Sequence, residues 1–556
     1  MDNHSAPITS SSRRLPFYLR PWLIVLLVIV FTGCIRLRLL NMPLERDEGE
    51  YAYAGQLILQ GIPPYELAYN MKLPGTYFAY AAGMAVFGQT IAGIHLLLLL
   101  ANSLTIIFIF LLGRKLFGDV AGLVACASYG VMSVSPGVWG MAAHANHFVV
   151  LFAVPATWLL WKAEEANLRR TLFLSGLLYG MAFLMKQQGI FFGLFGWGFL
   201  IWRAAQGKSI LSADFVKKSV CFGAGMILPL GLTGLVLTWA GVFSKFWFWT
   251  FAYARSYVTS VPLSDGIQFL GRHLKATFDL SIGFWLLAVM GLPLALRDAA
   301  TRRRTIFVMV FWICSFLAAA TGLYFRRHYF ILVLPAFAVI TGLAVISGQR
   351  ALRSRLTENA ARTIPLLLFA AVLVWNISVQ KDFFFQMPAD RVCRAIYPGN
   401  PFVESLPVAQ YIREHSSGNA RVAVVGSEPQ IYFYAQRHSA TGYLYTYALM
   451  ESQPYALKMQ GEMIREIESG KPEFLVCVFY EFSWGIRPDS DLTILRWFDQ
   501  YAREFYDRVG IVDTRSTGET IYLWGDEARN YHGSVEQYLT VYKRRPAAET
   551  VPAKTN

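Results

Sequence analysis

The sequence predicts a multi-spanning α-helical membrane protein of about eleven transmembrane helices, followed by a C-terminal α/β soluble domain. Three observations predict it. Of 556 residues, 55% are hydrophobic and only 15% charged, against about 25% charged in an ordinary globular domain; the mean hydropathy is +0.39. Long apolar runs recur through the first two thirds of the chain. After about residue 380 the composition becomes that of a soluble domain, with strand-like and helix-like segments in alternation.

The first element is LIVLLVIVFTGCI, preceded by SSRRLPFYLRPW. Positive residues before an apolar run resemble a signal peptide, but no small-residue cleavage site follows, so an uncleaved first span is expected. Further runs lie at about 91–112, 118–138, 148–162, 171–186, 189–203, 219–241, 281–297, 305–323, 328–347 and 363–379. Several fall short of the roughly 20 residues that cross a bilayer, which leaves their ends loose. The odd number places the chain ends on opposite sides. With the N-terminus inside, the inside segments carry about 20 Lys and Arg and the longer outside loops about 9, as the positive-inside rule asks. The expected layout is a cytoplasmic N-terminus (1–20), a transmembrane domain (21–380) with an external loop (41–90), an extracytoplasmic domain (381–540) and a disordered polar tail (541–556). The expected location is the bacterial inner membrane.

Within the external loop, TYFAYAAGMAVFG (76–88) is too short to span and suits a helix along the interface. FSKFWFWTFAYARSY (243–257) is aromatic-rich, as in segments at headgroup level. In the last domain ARVAVVG (420–426), EFLVCVFY (473–480) and TIYLWG (520–525) read as strands, and 402–415 and 456–469 as helices. The net charge of +14 is mostly an orientation signal and offers nothing for nucleic acid. Of six cysteines, only Cys393 and Cys477 lie where they could pair.

The chemistry-bearing residues gather at the outer ends of the runs. NMPLERDEGEYAYA places Glu45, Asp47, Glu48 and Glu50 within six residues, with Tyr51 beside them. On a helix they point in several directions, so they do not form one metal-ligand face. The bland reading is a solvated helix start; low dielectric beside the bilayer would instead raise a carboxyl pKa toward general-base range. NMKLPGTYF carries Lys72, WGMAAHANHF carries His144, Asn146 and His147, LMKQQGI carries Lys186 and Gln187, and RRHYFILVLPA carries Arg326, His328 and Tyr329. Each alone is explained by snorkelling or helix-end anchoring. Together they are cations on the wrong side for the topology rule, facing an acidic loop, as a phosphate leaving group and a general base require. The two His of HANH could also ligate a metal.

ERDEGEYAYA resembles the Asp-Glu motif in the first external loop of multi-spanning glycosyltransferases of the GT-C fold, a group that includes protein O-mannosyltransferases and aminoarabinose transferases of lipid A. NMKLPGTYF is similar to that family's Lys-Pro-Pro segment, with Leu73 in place of the first Pro, and LMKQQGI and RRHYFILVLPA resemble recurrent bacterial segments. The resemblance covers about 20–380 in order and topology. It implies a sugar donor on a polyprenyl phosphate, Asp47 as general base on an acceptor hydroxyl, Glu48 supporting it or helping to bind a divalent metal, and Lys72 near the donor phosphate. Many relatives carry a second acidic residue where this chain has HANH, which leaves the metal open. Lys186, Arg326 and His328 are expected at the donor phosphate from charge and placement. Glu50, Tyr51, His144, Asn146, His147, Gln187 and Tyr329 are expected around the substrate. The sequence leaves the acceptor open among lipid, glycan and protein. A transporter or lipid-linked sugar flippase is the alternative; that class places its ligands near the midplane and shows repeats, and neither is seen here. GSEPQIYFYAQR resembles soluble-domain segments of related proteins, so Glu428 and Gln430 are expected either to help bind acceptor or to pack. One Gly after that strand does not make a dinucleotide loop.

Overall fold

The computed structural model describes residues 20–166, 168–207, 210, 212–515, 519–532 and 536–546. The expected cytoplasmic segment up to residue 19 and the polar tail from 547 lie outside the described residues.

The first half runs through α1 (Arg20–Arg38), α2 (Arg46–Leu59), α3 (Gly75–Phe87), α4 (Ile91–Phe117), α5 (Asp119–Ser133), α6 (Ala145–Ala166), α7 (Arg169–Met185), α8 (Ile190–Gly207) and α9 (Ala213–Trp239). Short helices α10 (Phe243–Trp247) and α11 (Ala254–Val258) flank a π-helical turn, and α12 (Leu263–Asp279), α13 (Ile282–Arg297), α14 (Ala299–Ala320), α15 (Leu334–Leu352) and α16 (Glu358–Val379) follow. Every predicted apolar run is a helix: α1, α4 to α9 and α13 to α16. Among the described residues, six of them (α1, α4, α9, α14, α15 and α16) are long and apolar enough to cross a membrane. The pair α12 and α13, bent by 96°, makes seven if it is one span. The sequence-based figure of eleven rests further on α5 to α8, of which α5 is a shorter apolar helix.

The C-terminal domain contributes α17 (Ala389–Ile396), α18 (Ser405–Glu414), α19 (Gln430–Ala435) and six strands: β1 (Arg421–Val425), β2 (His438–Ser439), β3 (Phe474–Phe479), β4 (Tyr506–Thr514), β5 (Thr520–Trp524) and β6 (Gln537–Arg544). They form one sheet ordered β2-β1-β3-β6-β4-β5. β2, β1 and β3 are parallel; β3, β6, β4 and β5 are antiparallel. The three strands read from the sequence are present; β2, β4 and β6 were not read. β6 runs to Arg544, so the tail begins later than residue 541. Cys393 and Cys477 are both free and buried, the first facing the Pro43 carbonyl and the second inside β3. The pairing does not occur, because α17 packs against the end of α1 while β3 sits mid-sheet.

What positions the site is α2. It starts on a capping box in which Glu45 accepts from the Glu48 amide and Glu48 from the Glu45 amide, leaving orphan donors of the first turn satisfied. On one side α2 packs against α3 and on the other against α19. Gly49 makes the second contact: a Cβ there would lie 2.6 Å from the Gln430 nitrogen. One buried apolar cluster therefore runs from α4 to α6 through Tyr51, Tyr53 and Leu57 of α2 into β1 and β3. The soluble domain is docked, not tethered.

Candidate active site

The first turn of α2 points Asp47 and Glu50, three apart and thus on one face, at Lys72 in the loop before α3. The Lys72 ammonium donates to Asp47 Oδ1 at 2.7 Å and to Glu50 Oε2 at 2.5 Å. It also lies over the Tyr51 ring at 4.5 Å and the Tyr445 ring at 5.1 Å. Tyr77 donates to the other oxygen of Glu50. Glu48, a third of a turn round, faces away: it is fully buried and accepts from the Ala143 amide and shares a contact with His95 Nε2 at 3.2 Å. Its carboxylate therefore fixes the 139–147 loop instead of facing the Asp47 pocket.

That loop is held from below by Arg36, which donates to the carbonyls of Gly140 and Ser133. It delivers His144, whose ring stacks on that of His328 at 4.1 Å, and His328 in turn stacks on Trp139 at 5.6 Å. Asn146 donates to the His328 carbonyl at 2.7 Å and accepts from the Lys186 ammonium at 2.9 Å. Lys186 rests over the Tyr329 ring at 4.2 Å. Three chain segments remote in sequence thus close on one another. The turn before Arg326 is left-handed at Gly322, Leu323 and Phe325, with φ of 75°, 60° and 45°. Each non-Gly residue there costs about 1–3 kcal/mol, so the surroundings must hold the turn that presents Arg326. Arg326 lies over Tyr324 at 5.7 Å. Among the described residues, neither Lys186 nor Arg326 has a carboxylate within 4.0 Å.

The soluble domain supplies the lid side. Tyr445 donates to Asp47 Oδ1 and to the Arg46 carbonyl, both at 3.0 Å. Arg46 is buried and paired with Glu428 at 2.9 Å. It also donates to the Ser427 carbonyl and lies over Phe402 and Tyr447. Glu428 is thus the clamp that docks the domain on α2, and Gln430 is the packing partner of Gly49.

Electrostatics separate the carboxyls. Burial works against ionising Asp47, but the Lys72 ammonium, with lesser help from His328 and His144, holds it well below the usual carboxylate range. Burial wins at Glu45, helped by the charges of Asp47 and Glu48, and at Glu50, where Lys72 opposes it; both are raised. The expected rise at the membrane surface is therefore real for Glu45 and Glu50 and reversed for Asp47. Lys72 pairs with both Asp47 and Glu50, but its attraction outweighs burial only at Asp47, whose side chain is 20% exposed against 0% for Glu50. Burial also pushes His144 down to about 4, so it is neutral at pH 7.

Residues 72–232 match the family model described as dolichyl-phosphate-mannose-protein mannosyltransferase. Undecaprenyl phosphate-alpha-4-amino-4-deoxy-L-arabinose arabinosyl transferase of Pseudomonas aeruginosa is 31% identical over 169 residues, 28% of this chain and 28% of that protein. The match thus spans under a third of the length of these curated relatives. Over nearly the whole chain the fold agrees with solved structures. ArnT from Cupriavidus metallidurans bound to undecaprenyl phosphate gives a TM-score of 0.57 at 14% identity, covering 94% of this chain and 97% of that one. The archaeal oligosaccharyltransferase AglB from Archaeoglobus fulgidus, with an inhibitory peptide and a dolichol-phosphate, gives 0.51 at 13%, covering 96% and 77%. The chain has the GT-C fold.

Within this GT-C chain, Asp47, His144 and His328 each offer one ligand atom, all within 4.8 Å of one another. Nδ1 of both His144 and His328 is buried and makes no hydrogen bond among the described residues, with Glu45 Oε1 3.4 Å from that of His144. Two neutral imidazoles and a carboxylate fit a borderline divalent cation such as zinc. The sequence-derived residues Asp47, Glu50, Tyr51, Lys72, His144, Asn146, Lys186, His328 and Tyr329 form one connected cluster. Gln187 serves it indirectly, donating to the Met71 carbonyl beside Lys72. His147 lies apart, fully buried, with neither ring nitrogen hydrogen-bonded among the described residues. Sequence reasoning missed Tyr445, Tyr397, which contacts His144 Nε2 at 3.2 Å, and Trp139. The Tyr-rich run GYLYTY was the one available signal.

Proposed function

We propose that this GT-C chain is a membrane glycosyltransferase. It moves a sugar from a polyprenyl-phosphate donor to an acceptor hydroxyl on the extracytoplasmic face, with inversion at the anomeric carbon. In this reading all eleven apolar helices span, the N-terminus is cytoplasmic and the C-terminal domain extracytoplasmic, as the Lys and Arg distribution supports. The observation that carries the proposal is a held carboxylate in one cluster with Arg326 and Lys186, neither of which has a carboxylate partner among the described residues. Arg326 is the fixed cation, while burial lowers Lys186 to about 7, so that an arriving phosphate would favour its protonated form. The partial matches to polyprenyl-phosphate sugar transferases support the same class.

The acceptor oxygen attacks the anomeric carbon while its proton passes to Asp47. The bond from that carbon to the phosphate oxygen breaks, and its electron pair leaves with the polyprenyl phosphate. Asp47 is ionised and weakly basic, so the proton moves late, once the forming C–O bond has made the hydroxyl acidic. Lys72, engaged by Asp47 and Glu50, orients that base. Lys186 and Arg326 are therefore better placed than Lys72 to meet the leaving phosphate, and their charge stabilises the transition state more than the bound donor. A cation held by Asp47, His144 and His328 would polarise an oxygen at the same point.

The test is release of polyprenyl phosphate from a polyprenyl-phosphate sugar by the protein in nanodiscs. Asp47→Asn should lower turnover by on the order of 10³-fold, with the melting temperature little changed. Full turnover in that variant overturns the assignment of the base.

A further inference from the structure

A cavity of about 240 Å³ opens between the aromatic segment 243–253, the loop before α3 and the helix Ala456–Gly470. Its wall is aromatic. Tyr69 stacks on Trp249 at 5.7 Å, and Tyr443 meets both rings edge-on at 5.2 and 5.8 Å. Its hydroxyls are anchored: Tyr443 donates to Glu462 at 2.8 Å and Tyr69 to Glu466 at 3.1 Å. Its rim is cationic. Lys245 lies over Tyr69 at 4.9 Å, Lys458 stands across the opening, and both are exposed. Among the described residues neither has a carboxylate within 4.0 Å.

Two walls of the cavity are chain neighbours of residues that touch Asp47. Tyr69 and Tyr443 are joined as a parallel bridge, the Tyr69 amide donating to the Gly442 carbonyl at 2.6 Å. Two residues beyond Tyr443, Tyr445 bonds Asp47; three beyond Tyr69, Lys72 bonds it too. Two residues of chain span at most about 7 Å. The backbone of the cavity wall at Tyr443 is therefore at most about 7 Å from that of Tyr445, whose hydroxyl bonds the base.

We propose that this cavity is the acceptor subsite and takes a sugar ring bearing a phosphate or carboxylate group; this rests on the transferase reading above. The volume, below the roughly 300 Å³ of sites for drug-sized ligands, suits a single ring. Aromatic faces pack against the apolar C–H face of a sugar, while anchored hydroxyls and carboxylates at the edge receive its hydroxyls. Two unpaired cations at the rim supply the complement to its charge. The aromatic segment that builds one wall is of the kind found at headgroup level, where the head of a lipid-anchored acceptor would sit.

The test uses full-length protein in phosphatidylcholine nanodiscs, titrated with N-acetylglucosamine 1-phosphate, glucuronate, methyl glucoside and inorganic phosphate. The two anionic sugars should bind more tightly than methyl glucoside or phosphate. The paired substitution Lys245→Ala and Lys458→Ala should weaken them about tenfold and leave methyl glucoside unchanged. Asp47→Asn should retain anionic-sugar binding. Equal binding of phosphate and sugar phosphate, or anionic-sugar binding indifferent to the lysine changes, overturns the proposal. So does displacement of the sugars by phosphatidylglycerol added to the nanodisc, which would make the cavity a lipid headgroup site. Lysine-dependent sugar binding alongside a fully active Asp47→Asn would remove the assigned base and leave the saccharide site standing.

Discussion

The two ends of the helix bundle use the same charged residues in opposite ways. At the end remote from the soluble domain, Arg114 pairs with Asp119 at 2.7 Å, Lys115 with Glu165 at 2.6 Å and Arg350 with Asp298 at 2.6 Å, all with side chains about a third to a half exposed. At the domain end, Arg46 and Glu428 are almost fully buried, Lys72 bridges Asp47 and a fully buried Glu50, and Lys186 and Arg326 have no acidic partner among the described residues. Water and salt screen the first set and cannot reach most of the second. The far-end charges are the ones on which the proposed orientation rests. At the domain end, Arg326 keeps a charge without an acidic partner among the described residues.

That contrast can be broken at several points. Glu428→Ala leaves Arg46 buried and unpaired, and should cost about 3–5 kcal/mol of stability, seen as earlier thermal unfolding and faster proteolysis between α16 and β1. A small loss would mean that the apolar contact of α2 with α19 docks the domain alone. Arg326→Ala should lower turnover by about 10²-fold without changing the fold, measured as polyprenyl phosphate release. An unchanged rate would assign Arg326 to packing on Tyr324.

Lys72→Met sharpens the comparison through pH. In the proposed mechanism the active form of Asp47 is the ionised one, and its lowered pKa should keep the wild-type rate flat until the pH falls below the ordinary carboxylate range. Without the ammonium, burial alone acts and the pKa rises, so activity is lost at higher pH as the medium is acidified. An acid limb that stays put would show that Asp47 is not the titrating base. The smallest effect is expected at the far end: Arg350→Ala should change stability by about 0–1 kcal/mol and turnover hardly at all.

The helices were legible because apolar length and charge sign are local properties of the chain. So were most of the cluster residues, since cations at the outer ends of apolar runs are conspicuous against the inside bias. Side-chain direction was not. Glu48 adjoins Asp47 in sequence, yet about 100° of helix rotation sends it to Ala143 and His95 instead of Lys72. β4 and β6 escaped because their exposed face carries Asp, Arg and Lys among the apolar residues.

The sequence by itself determined a multi-spanning helical chain, a soluble C-terminal domain and a set of outer-face charges that includes Asp47 and Lys72. Those follow from hydrophobic burial and the cost of charge in lipid, which act residue by residue. Only the tertiary structure decided which carboxylate Lys72 holds down, which cations keep no partner, and that Tyr445 and Glu428, almost 400 residues away, complete the turn of α2. Those depend on distances between segments. A few ångströms of packing decide whether two charges neutralise each other or leave a site open to a third.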